Sequence, residues 1–229
     1  MLLRWPRTSS ESSDKLALIQ FKNAVTQDPL GALKSWNTSL HYCDWTGVTC
    51  DHARQRVKVL DLRSNALVGY SSPYITNLSE VIEIHLQNNM EINLLEGSLQ
   101  SLRHGIIPAS LFNLSSLVFL KLALNNLEGR IPGDIGKATR LSFINIYGNL
   151  ISGTLPSSLF NLTSLYYLAM ADNKFHGILP SDMGVTLPNL QVLGGGLNSF
   201  TGSIPASLSN ASGLTVVDFA DCALSGSIP

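Results

Sequence analysis

Four residues near the amino terminus have side chains that can bind a metal or form a disulfide. His41, Cys43, Cys50 and His52 offer two thiols and two imidazoles, which is the ligand set of a Cys2His2 zinc site. One residue separates the His from the Cys in each pair, whereas zinc hairpins usually place two to four residues between paired ligands. The spacing favours a disulfide between Cys43 and Cys50 over zinc.

The motifs of common catalytic sites do not occur in the sequence. It contains no H-E-x-x-H or G-x-S-x-G motif and no pattern of a kinase catalytic domain. Gly136 and Lys137 are followed by Ala138, so the Ser or Thr of a phosphate-binding P-loop is missing. His176 has no Ser or Cys partner at a recognisable spacing, which favours a surface loop residue over a catalytic one. We therefore expect no enzymatic activity, no metal and no cofactor in this chain.

Composition narrows the class of protein further. The 229 residues are 45% hydrophobic and 14% charged, with a net charge of -1, so the chain is expected to fold and to lack a basic surface for nucleic acid or lipid headgroups. No apolar run reaches the length of a membrane span, and residues 1–7 contain no apolar stretch of signal-peptide length. Any membrane attachment is expected through a span that is missing at the carboxyl terminus.

An internal repeat organises the chain from residue 57 onward. The pattern L-x-x-L-x-L-x-x-N-x-L-x-G-x-I-P is clearest in Leu117–Pro132, and Leu141–Pro156 repeats it with Ile or Leu substitutions. Successive asparagine positions are separated by 24, 36, 24, 24, 25 and 24 residues, and the last of these positions holds a cysteine. These positions are Asn65, Asn89, Asn125, Asn149, Asn173, Asn198 and Cys222. Such regularity indicates stacked coils.

Each part of the repeat has a physical role. The L-x-L segment predicts a short strand with one buried face, and stacked coils place these strands side by side in a parallel sheet. The following Asn can bond backbone groups that the turn leaves unpaired, so the repeated asparagines predict an Asn ladder. A Gly and a Pro in every repeat argue against Leu-rich helices. Cys222 is then expected to be a free, buried thiol in an Asn position, about 30 Å from the Cys pair.

The 36-residue interval interrupts the regular repeat. Met90 to Gly105 carries the extra residues, and its pattern around Asn93 imitates half a repeat. An insertion loop and a decayed coil are both compatible with this pattern.

The region before the repeats predicts two helices. The first spans residues 14–26, with Ser12 or Ser13 as its N-cap, and a second short helix follows Asp28 and Pro29. The apolar residues expected on the buried faces are Leu18, Phe21 and Val25 in the first helix and Leu30, Leu33 and Trp36 in the second. Because the first coil of a solenoid has no neighbour on one side, these elements are expected to cap it.

The combined motifs resemble the ectodomains of plant leucine-rich-repeat receptor kinases and receptor-like proteins. The resemblance covers about residues 14–229. The residues that carry it are Leu33, Ser35, Trp36, Asn37, Cys43, Trp45, Gly47, Val48, Cys50, Arg56 and Val57, followed by the G-x-I-P repeats. The coil that begins at Gly69 resembles cereal members related to bacterial-resistance and flagellin-type receptors.

The resemblance implies an α/β repeat fold. This fold is a right-handed leucine-rich-repeat solenoid with a concave parallel β-sheet, short 3-10 or irregular convex segments, and N-terminal capping helices. Residues 1–13 are expected to form a disordered or non-native tail and residues 14–56 the cap with its Cys pair. Residues 57–229 are expected to form about seven repeats, irregular at 81–116 and truncated at the last.

The resemblance also implies a function in extracellular recognition. The chain is expected to be an N-terminal fragment of a receptor ectodomain that binds a peptide or protein ligand, together with a co-receptor ectodomain, in immune or developmental signalling. It is expected outside the cell or at the plasma membrane as part of the full receptor. The alternatives are a secreted polygalacturonase-inhibitor-like protein and a non-functional truncated gene product.

Two columns of side chains are expected to face outward from the concave sheet, because strand side chains alternate. One reads Val59, Glu83, Phe119, Phe143, Tyr167, Val192 and Val216, and the other reads Asp61, His85, Lys121, Asn145, Ala169, Gly194 and Asp218. The aromatic run predicts a binding patch, with cross-strand packing as the alternative. The predicted ligand-binding residues are Phe119, Lys121, Phe143, Asn145, Tyr147 and Tyr167.

Five N-x-S/T sequons predict glycosylation in an exported protein. They begin at Asn37, Asn77, Asn113, Asn161 and Asn210. The last four share one phase of the repeat, which places them along one line away from the concave sheet. A preference for Asn in turns is the alternative explanation.

Overall fold

The computed structural model describes residues 9–37, 39–53, 55–71, 73–89, 91–94 and 105–227. Most of the predicted irregular segment, residues 90 and 95–104, lies outside the described residues. The described part forms the expected solenoid, in which each repeat contributes one strand to a concave sheet. In sheet order from the amino-terminal end, the eight described strands are Val48–Cys50, Val57–Asp61, Glu83–His85, Phe119–Lys121, Phe143–Asn145, Tyr167–Ala169, Val192–Gly194 and Val216–Asp218.

The repeat leucines explain why the coils stack. Leu117, Leu120 and Leu122 are almost completely buried, as are Leu141, Ile144 and Ile146 in the next coil. Each coil therefore buries an apolar edge against its neighbours and cannot do so alone. All strand pairs in the concave sheet are parallel except the first, in which Val48–Cys50 runs antiparallel to Val57–Asp61.

The convex side contains the expected 3-10 helices and also short strands that the sequence did not predict. The 3-10 helices of the repeats are Pro73–Asn77, Ala109–Asn113, Gly133–Lys137, Ser157–Asn161 and Ala206–Asn210, and a short α-helix, Met183–Thr186, occupies this place in the 25-residue repeat. The strands pair in parallel as Val68–Ser71 with Glu91–Leu94, Gly105–Ile106 with Leu127–Glu128, and Ser152–Gly153, Lys174–Ile178, Ser199–Gly202 and Ala223–Leu224 in succession.

The repeat glycine explains how these convex strands turn. Gly153 has φ 89°, in the left-handed region that glycine adopts without strain. A Cβ atom there would lie 2.9 Å from Cγ of Arg130 in the preceding coil. The glycine therefore permits both the backbone conformation and the close stacking of coils.

The amino-terminal cap differs from the prediction in two respects. Its helix spans Ser9–Ala24, so residues 9–13, predicted as tail, are helical, and Ser12 and Ser13 lie inside the helix instead of capping it. Residues 9–14 contain no Gly or Pro, so the helix can begin at Ser9. Val25, predicted as helical, begins the strand Val25–Gln27, which pairs antiparallel with Val68–Ser71.

The second predicted helix is wrong, because described residues 28–36 form turns. Gly31 has φ +71°, which interrupts a helix. The Asp28 carboxylate still accepts hydrogen bonds from the backbone N–H groups of Ala32 and Leu33, at 2.8 and 2.9 Å. Leu33 is buried as expected, but Leu30 is 66% exposed because the turn directs it outward.

A buried ion pair connects the capping helix to the first coil. Asp14 is fully buried and accepts two hydrogen bonds from the Arg56 guanidinium, each 2.8 Å long. It also accepts a bond from the backbone N–H of Val57 at 3.0 Å. The hydrogen bond to Asp14 raises the pKa of Arg56 above its ordinary value. This pair fixes the cap on the edge of the solenoid.

Aromatic rings fill the interior of the cap. Trp36 and Trp45 stack with centroids 5.4 Å apart, and Phe21 packs against Trp36 at 6.0 Å. The indole N–H of Trp36 donates to the carbonyl of Thr46 at 2.8 Å.

Among the described residues, no helix has the length and apolar character needed to cross a lipid bilayer.

Candidate ligand-binding surface

The Asn ladder holds the ends of the concave strands in register. Asn149 donates from Nδ2 to the carbonyls of Leu122 and Ile146 at 3.0 Å, and its Oδ1 accepts the N–H of Leu127 at 3.0 Å. The equivalent residues that also donate to backbone carbonyls are Asn65, Asn89, Asn125, Asn173 and Asn198. Each ladder residue thus satisfies backbone groups that the turn would leave unpaired.

Two members of the ladder depart from the pattern. Asn125 follows the irregular repeat, and its buried Oδ1 has no hydrogen-bond partner in the described part of the chain. Cys222 takes the last Asn position, and its Sγ donates to the carbonyl of Gly195 at 3.3 Å. Cys222 is half-buried, whereas the sequence predicted a buried thiol, because no described coil packs over it.

The cysteines pair as the spacing favoured. Cys43 and Cys50 form a disulfide with Cα atoms 5.5 Å apart, and Cys222 is free. The described residues contain no group of His, Cys, Asp or Glu side chains that could hold a metal ion. His176 is exposed on the convex strand Lys174–Ile178, not in a loop.

The concave columns have the predicted register. Phe143 pairs with Phe119 on one side and with Tyr167 on the other. Two residues further along the strands, Asn145 pairs with Lys121 and Ala169. The same register continues to both ends of the parallel part of the sheet.

Phe119, Phe143 and Tyr167 form a continuous aromatic strip across three strands. Phe143 stacks on Tyr167 with centroids 4.1 Å apart, and Phe119 is tilted against Phe143 at 5.8 Å. Tyr166 meets the edge of Phe143 at 6.0 Å. All three rings of the aromatic strip are half-buried, so cross-strand packing and an accessible surface are both present.

A lysine and an asparagine lie beside the aromatic strip. Lys121 Nζ is 5.7 Å from the ring centroid of Phe119 and 5.3 Å from that of Phe143, within the range of cation–π attraction. Asn145 Oδ1 accepts the backbone N–H of Tyr147 at 3.2 Å. Tyr147 is 39% exposed. The structure therefore brings all six predicted ligand-binding residues onto one surface.

Two carboxylates close to the imidazole of His85 border this surface on its amino-terminal side. His85 lies between Glu83, 2.8 Å from its Nε2, and Asp61, 3.5 Å from its Nδ1, and Asp61 also pairs with Arg63 at 2.8 Å. The repeat pattern placed Asp61, Glu83 and His85 in the outward columns but did not predict their contacts. The available signal was the occurrence of two carboxylates and an imidazole at adjacent column positions.

Small residues border the surface on its carboxyl-terminal side. Ala169 and Gly194 continue the column of Lys121 and Asn145, and Ala171 continues the column of Tyr147. A Cβ atom added to Gly194 would meet only the Cα of Ala169, at 3.9 Å. The sheet beside Tyr167 therefore carries only small side chains, which leave space above the backbone.

Four of the five sequon asparagines lie on a different side of the solenoid from the aromatic strip. All five are exposed. Asn77, Asn113, Asn161 and Asn210 each end a 3-10 helix of the convex side. Their shared position agrees with the common repeat phase, and glycan attachment remains a prediction.

Two family models match the chain. The leucine rich repeat N-terminal domain matches residues 11–51, which include the disulfide and most of the cap. The leucine rich repeat matches residues 140–162, which include the strand of Phe143.

Known plant receptors are similar to parts of the chain. The receptor kinase-like protein Xa21 of Oryza sativa subsp. japonica is 42% identical over 89 residues, which are 36% of this chain and 8% of Xa21. The curated relatives that match first are likewise covered over only 8% of their length.

Solved ectodomains have the same fold. The Arabidopsis thaliana GASSHO1/SCHENGEN3 ectodomain, in complex with CASPARIAN STRIP INTEGRITY FACTOR 2, has a TM-score of 0.81 and 33% identity, over 94% of this chain and 25% of that one. The Arabidopsis HAESA ectodomain, in complex with an N-terminally extended IDA peptide hormone, has a TM-score of 0.73 and 36% identity, over 97% of this chain and 39% of that one. The chain is a leucine-rich-repeat solenoid that resembles part of these plant receptor ectodomains.

Proposed function

We propose that this leucine-rich-repeat solenoid, which resembles plant receptor-kinase ectodomains, binds an extended peptide across its concave sheet. The peptide contacts the aromatic strip with apolar side chains and contacts Lys121, Asn145 and Tyr147 with polar groups. Binding takes place outside the cell, as part of a receptor that recruits a co-receptor ectodomain and signals through a kinase. The proposed context is receptor-kinase signalling, because the relatives Xa21 and EFR are named as receptor kinases.

The single observation that carries this proposal is the accessibility of the aromatic strip. Three neighbouring aromatic residues remain half exposed on a sheet whose alternate residues are fully buried. Aromatic side chains supply much of the energy at protein interfaces, especially when they form a connected patch. The GASSHO1/SCHENGEN3 and HAESA ectodomains were solved with a factor and a peptide hormone bound, which supports a peptide as the ligand.

The rigidity of the surface also supports peptide recognition. The strands that present the aromatic strip are held by the Asn ladder on one side and by the buried leucines underneath. A rigid surface loses little conformational entropy on binding, so more of the contact energy remains as affinity. Asp61, Glu83 and His85 define one edge of the surface.

A displayed library of random linear peptides, selected on the folded chain, tests the proposal. The selected peptides should be rich in large apolar residues, and their binding should depend on Phe143. Peptides that bind the Phe143→Ala variant as tightly as the unchanged chain would contradict binding at the aromatic strip. A variant with the same type of truncation on the exposed end of the sheet, Thr215→Ala, is the matched control, since Thr215 does not contact the strip.

A further inference from the structure

Lys121 carries a positive charge that no acidic side chain balances in the described part of the chain. Its Nζ lies over the rings of Phe119 and Phe143, and no carboxylate of the described residues lies within ion-pair distance. The neighbouring acids are already engaged, since Glu83 contacts His85 at 2.8 Å and Asp61 contacts Arg63 at 2.8 Å. A half-buried, unpaired ammonium group is a ready partner for an anion.

Asn145 adds a second donor next to Lys121. The two residues are direct partners on adjacent parallel strands, which lie about 4.8 Å apart. The Asn145 Oδ1 is occupied by the N–H of Tyr147 at 3.2 Å, so the amide NH2 group remains to donate on the concave side. Lys121 and Asn145 thus present an ammonium group and an amide NH2 group as neighbouring donors.

Equivalent repeats show that this column can hold a carboxylate in place of the amide. Asp61 accepts the N–H of Arg63 at 3.3 Å, and Asp218 accepts the N–H of Ala220 at 2.9 Å. These are the same bond, two residues along the strand, that Asn145 accepts from Tyr147. Position 145 therefore needs only an oxygen acceptor for its turn, and an aspartate there would satisfy the turn while opposing an anionic ligand.

We propose that Lys121 and Asn145 form a carboxylate subsite for the bound peptide. This inference rests on the proposed function and specifies its ligand as an acidic peptide. The subsite lies two residues along the strands from the aromatic strip, a separation of about 7 Å. The peptide therefore carries an Asp or Glu, or its own terminal carboxylate, close to an apolar residue that contacts Phe143.

Two variants separate the subsite from the rest of the surface. Asn145→Asp preserves the hydrogen bond from Tyr147 and reverses the electrostatic preference at the subsite. Lys121→Met keeps an unbranched side chain over the two rings and removes the charge. Asp218→Asn makes the reverse isosteric change at the far end of the same column and is the matched control.

Random linear peptides are first selected on the unchanged chain. The experiment then compares the binding of each selected sequence with an amidated carboxyl end and with a free carboxyl end. Selected peptides should be enriched in Asp and Glu, or should bind only with a free end. Both variants should weaken their binding by about tenfold or more, and Asp218→Asn should leave it unchanged.

Several outcomes have distinct meanings. Binding of Asp- or Glu-enriched peptides in the amidated arm assigns the carboxylate to a side chain. Dependence on the free end assigns it to the chain terminus. Both outcomes support the subsite. Selected peptides that depend on Phe143 but bind Asn145→Asp undiminished would overturn the subsite and leave the proposed binding at the aromatic strip intact. Peptides that are indifferent to Phe143 would overturn the proposed function itself. Thermal unfolding of each variant confirms that it is folded.

Discussion

The rings of Phe143 and Tyr167 lie on neighbouring strands with centroids 4.1 Å apart and planes only 8° from parallel. Each ring covers one face of the other, and both side chains remain half exposed on the concave sheet. Stacking holds the two rings in place and leaves them accessible, so a ligand can contact them directly. Because their positions are set before binding, the contact costs little ordering of the protein.

Truncation of Phe143 should weaken peptide binding far more than it weakens the fold. Loss of an aromatic anchor at an interface costs about 2 kcal/mol or more, which is roughly thirtyfold in affinity. We expect this loss for Phe143→Ala in calorimetric titration with a selected peptide, and a native-like melting transition for the same variant. Gln191→Ala and Thr215→Ala, both on the exposed rim of the sheet, should change affinity much less. Equal losses for all three variants would place the ligand elsewhere.

Replacement of Asp14 by Asn should strongly destabilise the cap. The substitution removes the fully buried charge partner of the Arg56 guanidinium and leaves only the part-buried Glu80, 3.1 Å away, and breaking a buried pair costs up to about 3–5 kcal/mol. Chemical denaturation should report that loss. The matched control is Asp134→Asn, which breaks the more exposed pair with Lys137 and should cost less than about 1 kcal/mol. Similar small losses for both variants would show that the cap does not depend on the buried pair.

The Arg56 contribution should persist through the neutral and alkaline range. Its pKa is raised in the folded state, first of all by the hydrogen bond to Asp14. A raised pKa means that the stabilisation is present below the unfolded pKa and is lost only as the pH rises through the folded pKa. The difference in stability between the unchanged chain and an Arg56→Met variant should therefore not fall between pH 7 and about 10.

The repeats could be predicted from sequence because each buried position recurs with a fixed period. The register of Phe119, Phe143 and Tyr167 followed from the spacing of the strand leucines, since a shift by one residue would expose every buried side chain. The capping segment offered one copy of each signal and no period. Gly31 turned the backbone where Asp28 and Pro29 suggested a helix, and that conflict could not be resolved from local propensities.

The convex strands and the contacts of His85 were not predicted, for different reasons. Convex strands such as Ser152–Gly153 are only two residues long, which is too short to show an alternation of polar and apolar residues. The contacts of His85 with Asp61 and Glu83 depend on side-chain directions within the columns, whereas only the column positions follow from the repeat period. Pairing of this kind requires coordinates.

Removal of a buried ladder asparagine should destabilise the solenoid more than removal of the first one. Asn149→Ala would leave the N–H of Leu127 without its side-chain acceptor, at about 1–3 kcal/mol for a buried group left unsatisfied. It would also remove one donor from each of the carbonyls of Leu122 and Ile146, to which Asn125 and Asn173 still donate. Asn65 is half exposed and donates to the carbonyl of Arg63, so Asn65→Ala serves as the control. Urea denaturation should show a clearly lower midpoint for Asn149→Ala alone. Equal midpoints would mean that the ladder bonds are replaced by water.

Glycans attached in a secretory host should occupy the convex asparagines without affecting peptide binding. Asn77, Asn113, Asn161 and Asn210 are exposed at the ends of 3-10 helices, and an exposed sequon is accessible to a bulky modification. Each Asn→Gln substitution should remove one glycan mass in intact mass spectrometry. Because these residues lie away from the aromatic strip, the four substitutions together should leave the affinity for a selected peptide unchanged. A loss of affinity on their removal, with melting unaltered, would indicate that the ligand extends around the solenoid onto the convex side.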